Sequence, residues 1–157
     1  LNVSNLYSAR AYKTANQSVA TDSFIKITLP NETFDHGNNF DSTTNSRYVC
    51  PVAGTYLVKV QVTYTSLIAN KRYYCCIYRN NVAVTYLANQ NGSDTNFISV
   101  GTTEMISCAA NDYIELFALT SAGASTNVYG EATGGYTYMN VQLIAPTTPV
   151  AITVNVT

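Results

Sequence analysis

The chain has 157 residues, of which only 11% are charged, and its formal net charge at pH 7 is −1. A chain of this length suits one domain that buries a hydrophobic core of its own. Nucleic acids are bound by clustered Lys and Arg, and this chain has only eight such residues, so we expect no nucleic-acid partner.

Membrane and targeting signals are also missing from the sequence pattern. No window approaches 18 consecutive apolar residues, so we expect no membrane-spanning helix and no membrane insertion. The chain begins at Leu1 and shows no charged segment followed by an apolar run, which is the pattern of a signal peptide. We therefore expect a fragment or a processed product.

Strand patterns fill the chain, whereas helix signals are nearly absent. Residues 56–64 give the clearest one, since apolar and polar residues alternate there with the period of a strand that has one buried face. Ten short strands in one domain indicate an all-β sandwich or barrel. The predicted strands are Tyr7–Lys13, Phe24–Leu29, Tyr48–Val52, Thr55–Thr65, Arg72–Arg79, Ala83–Leu87, Asn96–Val100, Thr103–Cys108, Asp112–Thr120 and Gly135–Ile144.

Two pairs of polar residues predict tight turns between these strands. Asn80 and Asn81 separate two strand patterns, and asparagine tolerates the positive φ that a two-residue hairpin turn requires. Asn111 and Asp112 likewise lie between two strand patterns. Both sites are predicted to be hairpin corners.

Two stretches and a tail lie outside the strand pattern. Residues 89–94 and 121–127 are rich in Gly, Ser and Asn and are predicted to be exposed loops. After residue 145 the sequence changes to "PTTPVAITVNVT". We therefore predict one domain over residues 1–145 and an extension over 146–157, which is either an arm that pairs with a neighbouring subunit or the start of a truncated segment.

The residues give little support to catalysis or to a metal site. His36 is the single histidine, so a nucleophile–histidine arrangement would have to use it, and in a Gly- and Asn-rich loop it is typical of an exposed turn. Asp35, Asn38 and Asp41 could bind calcium through their oxygens, but the favoured interpretation is that their side chains cap turns within a loop. We expect no enzyme activity, no cofactor and no resident metal.

Four cysteines occur, at Cys50, Cys75, Cys76 and Cys108, and their spacing matches no zinc motif. Cys75 and Cys76 are adjacent in a predicted strand, so their side chains face opposite ways and at most one lies in the core. The pattern favours buried thiols that act as small hydrophobic residues over disulfides. If a bridge forms, Cys50 to Cys108 is the first pair to check.

Several segments follow one another from residue 9 to residue 145: "ARAYKT", then Phe34, Asp35 and Asn38 or Asn39, then "YVCPVAGTY", "CCIYRNNVAV", "AANDYIEL" and "YGEATGGYTYMNVQLIA". Together they resemble the globular head domain of complement component one, subcomponent q, and more loosely tumour necrosis factor (TNF). The final segment lacks the serine-glycine of the family pattern, and Asn81 and Asn111 stand where the family usually has glycine.

The resemblance implies a ten-stranded antiparallel jelly-roll sandwich that forms a homotrimer, with one sheet of each subunit packed around a threefold axis. Large rings on the outward side of predicted strands agree with an interface, because such rings mark a subunit contact or a binding patch. The alternative is that tyrosine favours strands and directs its hydroxyl to solvent. The predicted interface residues are Tyr12, Tyr113, Phe117 and Tyr138.

The polar, uncharged composition, with 13 Tyr and abundant Asn and Thr, resembles the head domains of viral fibres and spikes. We therefore predict a virion-surface protein of a bacteriophage or another virus that joins other virion proteins and binds a host cell-surface glycan or protein. The alternatives are a secreted or spore-surface bacterial adhesion module and an animal complement-like binding domain. The predicted binding residues are Asn89, Asn91, Asp94, Asn96, Asn127 and Tyr129.

Overall fold

The computed structural model describes residues 7–90 and 96–147, and this part of the chain folds into strands and turns without a helix. Every named strand pairs with its neighbours in the antiparallel sense. The predicted all-β antiparallel sandwich is confirmed. The strands are β1 (Ser8–Tyr12), β2 (Gln17–Val19), β3 (Ile25–Lys26), β4 (Asn31–His36), β5 (Phe40–Asp41), β6 (Arg47–Val49), β7 (Gly54–Thr65), β8 (Arg72–Arg79), β9 (Val82–Gln90), β10 (Phe97–Cys108), β11 (Tyr113–Thr120), β12 (Thr126–Val128) and β13 (Tyr138–Pro146).

The strands form two layers. The seven-stranded sheet runs β2, β12, β7, β13, β1, β4, and β10 pairs with the other edge of β7 along its whole length. The six-stranded sheet runs β5, β6, β11, β8, β9, and β3 continues the edge of β11 beyond β6. The long strand β7 therefore organises one layer and β11 the other.

The core lies between the two sheets and follows the alternation seen in the sequence. Val58, Val60 and Val62 of β7 are buried, whereas Lys59 between them is exposed. Tyrosine also contributes to this core, and its hydroxyl groups find backbone partners there: Tyr56 donates to the carbonyl oxygen of Val52 at 2.7 Å. The fully buried tyrosines are Tyr48, Tyr56, Tyr64 and Tyr73.

The strand boundaries differ from the predictions at two kinds of place. The predicted strands 96–100 and 103–108 are one continuous strand, β10, because it pairs with β7 without a register shift from Phe97 to Cys108. At Gly101 a Cβ would approach the carbonyl oxygen of Val60 to 2.6 Å, so glycine fits this position. Four short strands, β2, β4, β5 and β12, were not predicted, since two to six residues give too little alternation to detect. Part of the predicted loop at 121–127 belongs to β12.

Both predicted tight turns are present, but only the Asn80–Asn81 turn is a hairpin corner, between the paired strands β8 and β9. The turn at Asn111 connects β10 of the seven-stranded sheet to β11 of the six-stranded sheet, so the prediction of a hairpin is wrong at this position. Asn80 and Asn81 have φ values of 51° and 65°, and Asn111 has a φ of 69°, which is the left-handed region that these turns need. The predicted domain end at residue 145 falls within β13, and most of the predicted extension lies outside the described residues.

Candidate functional site

The two ends of the sandwich differ in what they present. We call the end where β1 begins and β13 ends the proximal end, and the opposite end, where β7, β9 and β11 end, the distal end. Strand pairing brings Phe97 and Asn127 to opposite edges of Thr65 at the distal end. The start of β10 and the strand β12 therefore lie on either side of the end of β7 at this end.

Three aromatic rings form a cluster at the distal end, which we call the distal aromatic cluster: Phe97, Tyr129 and Tyr136. The centroids of the Phe97 and Tyr129 rings lie 5.0 Å apart, and those of Tyr129 and Tyr136 lie 5.1 Å apart with perpendicular planes. Phe97 is 48% exposed and Tyr136 is 40% exposed. The cluster thus presents apolar ring surface to solvent at the edge of the seven-stranded sheet.

Hydrogen bonds from β7 hold the backbone of this cluster in place. The carbonyl oxygen of Tyr136 accepts from the Thr63 hydroxyl at 2.9 Å and from the Gln61 amide at 2.8 Å. The amide of Tyr129 donates to the carbonyl oxygen of Thr63 at 2.7 Å. Because β7 is a central strand, the rings are fixed relative to the rigid part of the fold.

The predicted binding residues can be placed on this end. Asn96 and Asn89 are exposed, Asn96 directly before β10 and Asn89 near the end of β9 on the other sheet. Asn127 is half-buried on β12, and Tyr129 belongs to the distal aromatic cluster. Asn91 and Asp94 lie outside the described residues.

A groove of about 430 Å³ opens on the outward face of the seven-stranded sheet, nearer the proximal end. Its lining contains Arg10, His36 and Lys59 but no carboxylate. Arg10 is already engaged, since its guanidinium donates to the Asn140 side chain at 2.8 Å and lies 4.2 Å from the centre of the Tyr138 ring. His36 is exposed and stacks on Phe34, with 5.2 Å between the ring centres.

The four residues predicted for the trimer interface lie on two opposite faces. Tyr12 and Tyr138 are paired across β1 and β13 on the outward face of the seven-stranded sheet. Tyr113 and Phe117 lie on the outward face of the six-stranded sheet. The structure therefore separates these pairs by the thickness of the core.

Tyr113 and Phe117 have partners within their own chain. The Phe117 ring stacks on Tyr78 with 4.1 Å between the ring centres, and the Arg47 guanidinium lies 4.7 Å from the centre of the Tyr113 ring. Beside them, Lys26 forms an ion pair of 2.5 Å with the buried Glu115. The part of this face around β11 is thus covered by intrachain ring and charge contacts, whereas Tyr86 on β9 is 64% exposed.

Asp35 and Asp41, the candidate calcium ligands, are used as acceptors for nearby loop groups. The Asp41 carboxylate accepts from the amide of Thr44 at 2.9 Å and from the Asn45 side chain at 2.6 Å, and these bonds lower its pKa to about 2. Asp35 accepts from the amide of Phe40 at 2.8 Å. Within the described ranges, no group of three His, Cys, Asp or Glu side chains is arranged to hold a metal ion.

No protein-family model and no curated protein matches the sequence. Solved structures do match. Eiger TNF from S. frugiperda is similar with a TM-score of 0.69 at 12% identity, covering 94% of this chain and 98% of that chain. The globular domain of zebrafish complement 1qA protein has a TM-score of 0.63 at 12% identity (90% and 99% covered), and murine APRIL a TM-score of 0.64 at 9% identity (87% and 99% covered).

The chain has the TNF-like jelly-roll fold. The predicted resemblance is therefore confirmed at the level of architecture, over nearly the whole length of each neighbour. The prediction that this TNF-like domain is not an enzyme agrees with these neighbours, none of which is named as an enzyme. The described residues also include no helix long and apolar enough to cross a membrane.

A hydrolase based on His36 finds no support in the geometry of the TNF-like domain. His36 is exposed on β4, and the described groove beside it is lined by cationic, amide and apolar side chains. A paired-carboxylate arrangement around this histidine is not formed there. The groove presents the cationic side chains of Arg10 and Lys59, and the distal aromatic cluster presents exposed rings.

Sequence reasoning missed two members of the distal aromatic cluster, Phe97 and Tyr136. Phe97 begins β10 on its outward parity, next to the polar 89–96 stretch, and this position was a usable signal. Tyr136 was predicted to lie in a strand, but the segment before β13 instead folds over the end of β7. Its contact with Tyr129 depends on tertiary structure.

Proposed function

We propose that this TNF-like domain is the homotrimeric head of a viral fibre or spike, and that its distal end attaches the particle to a glycan or protein on the host cell surface. The observation that carries the proposal is the distal aromatic cluster, at the end where Asn96 precedes β10 and Asn127 pairs with the last residue of β7. Exposed rings on a rigid scaffold are typical of recognition surfaces.

The chemistry of this end suits carbohydrate. The faces of Phe97 and Tyr136 offer apolar surface for the CH groups of a sugar ring, and asparagine amides can both donate to and accept from hydroxyl groups. Individual contacts of this kind are weak. Three copies on one rigid head would raise the overall affinity by 10²-fold or more without any new contact.

The outward face of the seven-stranded sheet supports a trimeric arrangement. Met105 is 71% exposed on β10 and pairs with the half-buried Leu57 of β7. Tyr12 and Tyr138 lie on the same face. Of these residues Met105 is the exposed one, and contact with another copy would cover it together with the half-buried Leu57 and Tyr12.

The viral assignment has its support in surface composition. Only 11% of the residues are charged, whereas Asn, Thr and Tyr are abundant, which suits a stable displayed surface that binds polar uncharged ligands. The same fold is also compatible with a secreted bacterial adhesion module and with a complement-like binding domain. They are the outcomes against which the viral proposal is tested.

Light scattering on the purified domain tests the assembly. We expect a particle of about three times the 17.0 kDa chain mass at micromolar concentration. A stable monomer would contradict the trimeric head.

Glycan-array and cell-binding assays test the distal end. We expect Tyr136→Ala to reduce binding by 10-fold or more, because it removes an exposed ring of the cluster. Tyr86→Ala is the matched control, since Tyr86 is 64% exposed on the outward face of the six-stranded sheet. Equal losses from the two variants would argue against the distal site.

Mass spectrometry of purified particles from the source tests the viral assignment. We expect the chain among the virion proteins, with antibody labelling at the particle surface. Recovery of the chain only as a secreted protein or on spores would favour the alternatives and reject the virion role.

A further inference from the structure

Cys50 and Cys108 come from different sheets and meet at the proximal end. Cys50 directly follows β6 of the six-stranded sheet, and Cys108 ends β10 of the seven-stranded sheet. They are 0% and 4% exposed, respectively. Both side chains belong to the buried cluster between the layers.

The backbone fixes this meeting point. The turn that follows Cys108 returns to Cys50, where the amide of Cys50 donates to the carbonyl oxygen of Asp112 at 2.7 Å. The carbonyl oxygen of Cys50 accepts from the amide of Asn111 at 2.7 Å. The aspartate also closes its own turn, because its carboxylate accepts from the amide of Ala109 at 2.8 Å.

The surroundings of the two thiols differ. The neighbouring Cys108 side chain and burial raise the pKa of Cys50, whereas the neighbouring Cys50 side chain and the Arg79 guanidinium lower the pKa of Cys108. Arg79 is held over this corner by a hydrogen bond to the carbonyl oxygen of Ser107. Cys108 is thus the member of the pair with the greater thiolate character, which is the form that attacks a disulfide.

We propose that Cys50 and Cys108 oxidise to a disulfide that joins the two sheets at the proximal end. The oxidant is a small-molecule disulfide such as oxidised glutathione. The Cys108 thiolate attacks one glutathione sulfur and releases one glutathione thiolate. Cys50 then loses its proton and attacks the Cys108 sulfur of the mixed disulfide, which releases the second glutathione and leaves the protein oxidised by two electrons.

The other two cysteines lack such a pairing and serve as internal controls. Cys75 and Cys76 are adjacent on β8, so their side chains point to opposite faces of the sheet. Cys75 lies in the core cluster, and Cys76 is buried on the other side of the strand. Burial raises the pKa of Cys76 to about 12, which keeps it in the unreactive thiol form.

The bridge has a structural consequence that is independent of what the domain binds. It closes a loop of roughly 60 residues that contains β7, β8, β9 and most of β10, and long closed loops restrict the unfolded chain strongly. We expect the oxidised domain to melt roughly 10 °C higher than the reduced domain. The proposed disulfide lies at the end opposite the distal aromatic cluster.

Thiol counting tests the proposal on the whole chain. The domain is equilibrated at pH 8 with oxidised glutathione or with a reducing phosphine, then unfolded and labelled with a maleimide for intact mass. We expect four labels on the reduced chain and two on the oxidised chain, with a cross-linked peptide that joins residues 50 and 108. Four labels after oxidation, or a cross-link to Cys75 or Cys76, would overturn the proposal.

Two variants extend the test. In oxidant, Cys108→Ala should carry three labels and lose the increase in Tm, whereas Cys75→Ala should carry one label and keep the increase. Fewer than three labels on Cys108→Ala would contradict a specific pair. If either variant fails to fold, the peptide map of the unmodified sequence decides the question alone.

Discussion

Single side chains link the two predicted hairpin corners at the proximal end. The Asn80 amide donates to the Asp112 carboxylate at 2.6 Å, and its oxygen accepts from the backbone amide of Tyr113 at 2.9 Å. The asparagine side chain and the amide of Ala109 together lower the pKa of Asp112. The sequence predicted both turns from their residue types, but nothing in the sequence indicated that the turns bind each other.

The variant Asn80→Ala should therefore destabilise the domain more than Asn81→Ala does. We expect about 2 kcal/mol, from the strain of φ 51° on alanine and the loss of two hydrogen bonds. Asn81→Ala, at φ 65°, is the control and should cost about 1 kcal/mol from strain alone. Urea unfolding measures both, and equal costs would show that the side-chain contacts contribute nothing.

Lys13 is a buried cation without an acidic partner among the described residues. It is 4% exposed, and its Nζ donates to the Thr28 hydroxyl at 2.9 Å. Burial lowers its pKa to about 8. The lysine of the unfolded chain keeps its proton up to about pH 10.5. The free-energy cost of burying the charged lysine is therefore fully present below pH 8, and it decreases as the pH rises above 8 and the buried lysine loses its proton.

Lys13→Met should accordingly stabilise the domain at pH 7 by about 1 to 3 kcal/mol. Its advantage over the unmodified chain should shrink between pH 8 and pH 9.5, because the lysine of the unmodified protein becomes neutral in that range. Thermal unfolding over this pH range measures the difference. A constant difference across the range would refute the buried-charge explanation.

At the scale of secondary-structure elements, the alternation of apolar and polar residues predicted the long strands. It predicted neither where these strands end nor which strands pair. Residues 55–65 read as a strand in the sequence and form β7 almost to the residue. Residues 126–128 carry no such signal, and they form β12 because β7 and β2 offer them hydrogen-bonding edges on both sides. Short strands depend on what lies beside them.

Gly54 begins β7 beside a register irregularity in the paired strand β13, between Leu143 and Ala145. A Cβ there would lie 2.5 Å from the carbonyl oxygen of Ala145 and 2.7 Å from a Leu143 methyl group. We expect Gly54→Ala to cost about 2 to 4 kcal/mol, because β13 would have to move away from β7.

Gly135→Ala is the matched control for this substitution. Its nearest new contact would be at 3.7 Å, which is an ordinary van der Waals distance. We expect a change within about 0.5 kcal/mol in urea unfolding. A similar loss of stability at both glycines would mean that β7 and β13 are not tightly packed against each other at Gly54.

At the scale of the whole molecule, both outward faces combine covered and exposed side chains. Phe117 stacks on Tyr78 on the six-stranded sheet, whereas Tyr86 is 64% exposed there. Met105 is 71% exposed on the seven-stranded sheet, next to the half-buried Leu57. We propose that a second copy covers this Met105 side of the sandwich, and substitutions on the two faces test the choice.

Met105→Glu should break the proposed trimer, because a carboxylate would be buried without a partner between copies. We expect the mass in solution to fall to that of one chain, with the far-ultraviolet spectrum unchanged. Tyr86→Glu, on the other sheet, should leave the assembly intact. A trimer that survives Met105→Glu and dissociates with Tyr86→Glu would reverse the assignment of the faces.

The sequence by itself determined the fold class, the core parity of the long strands and the two asparagine corners, because these depend on residues within a few positions of each other. It also indicated the polar stretches that follow β9 and β11, two strands that end at the distal end. Only the tertiary structure decided that Phe97, Tyr129 and Tyr136 form one cluster, that Cys50 meets Cys108, and that the four predicted interface rings lie on opposite faces. Contacts between residues more than 30 positions apart are set by the order in which strands pair, and local alternation carries no information about that order.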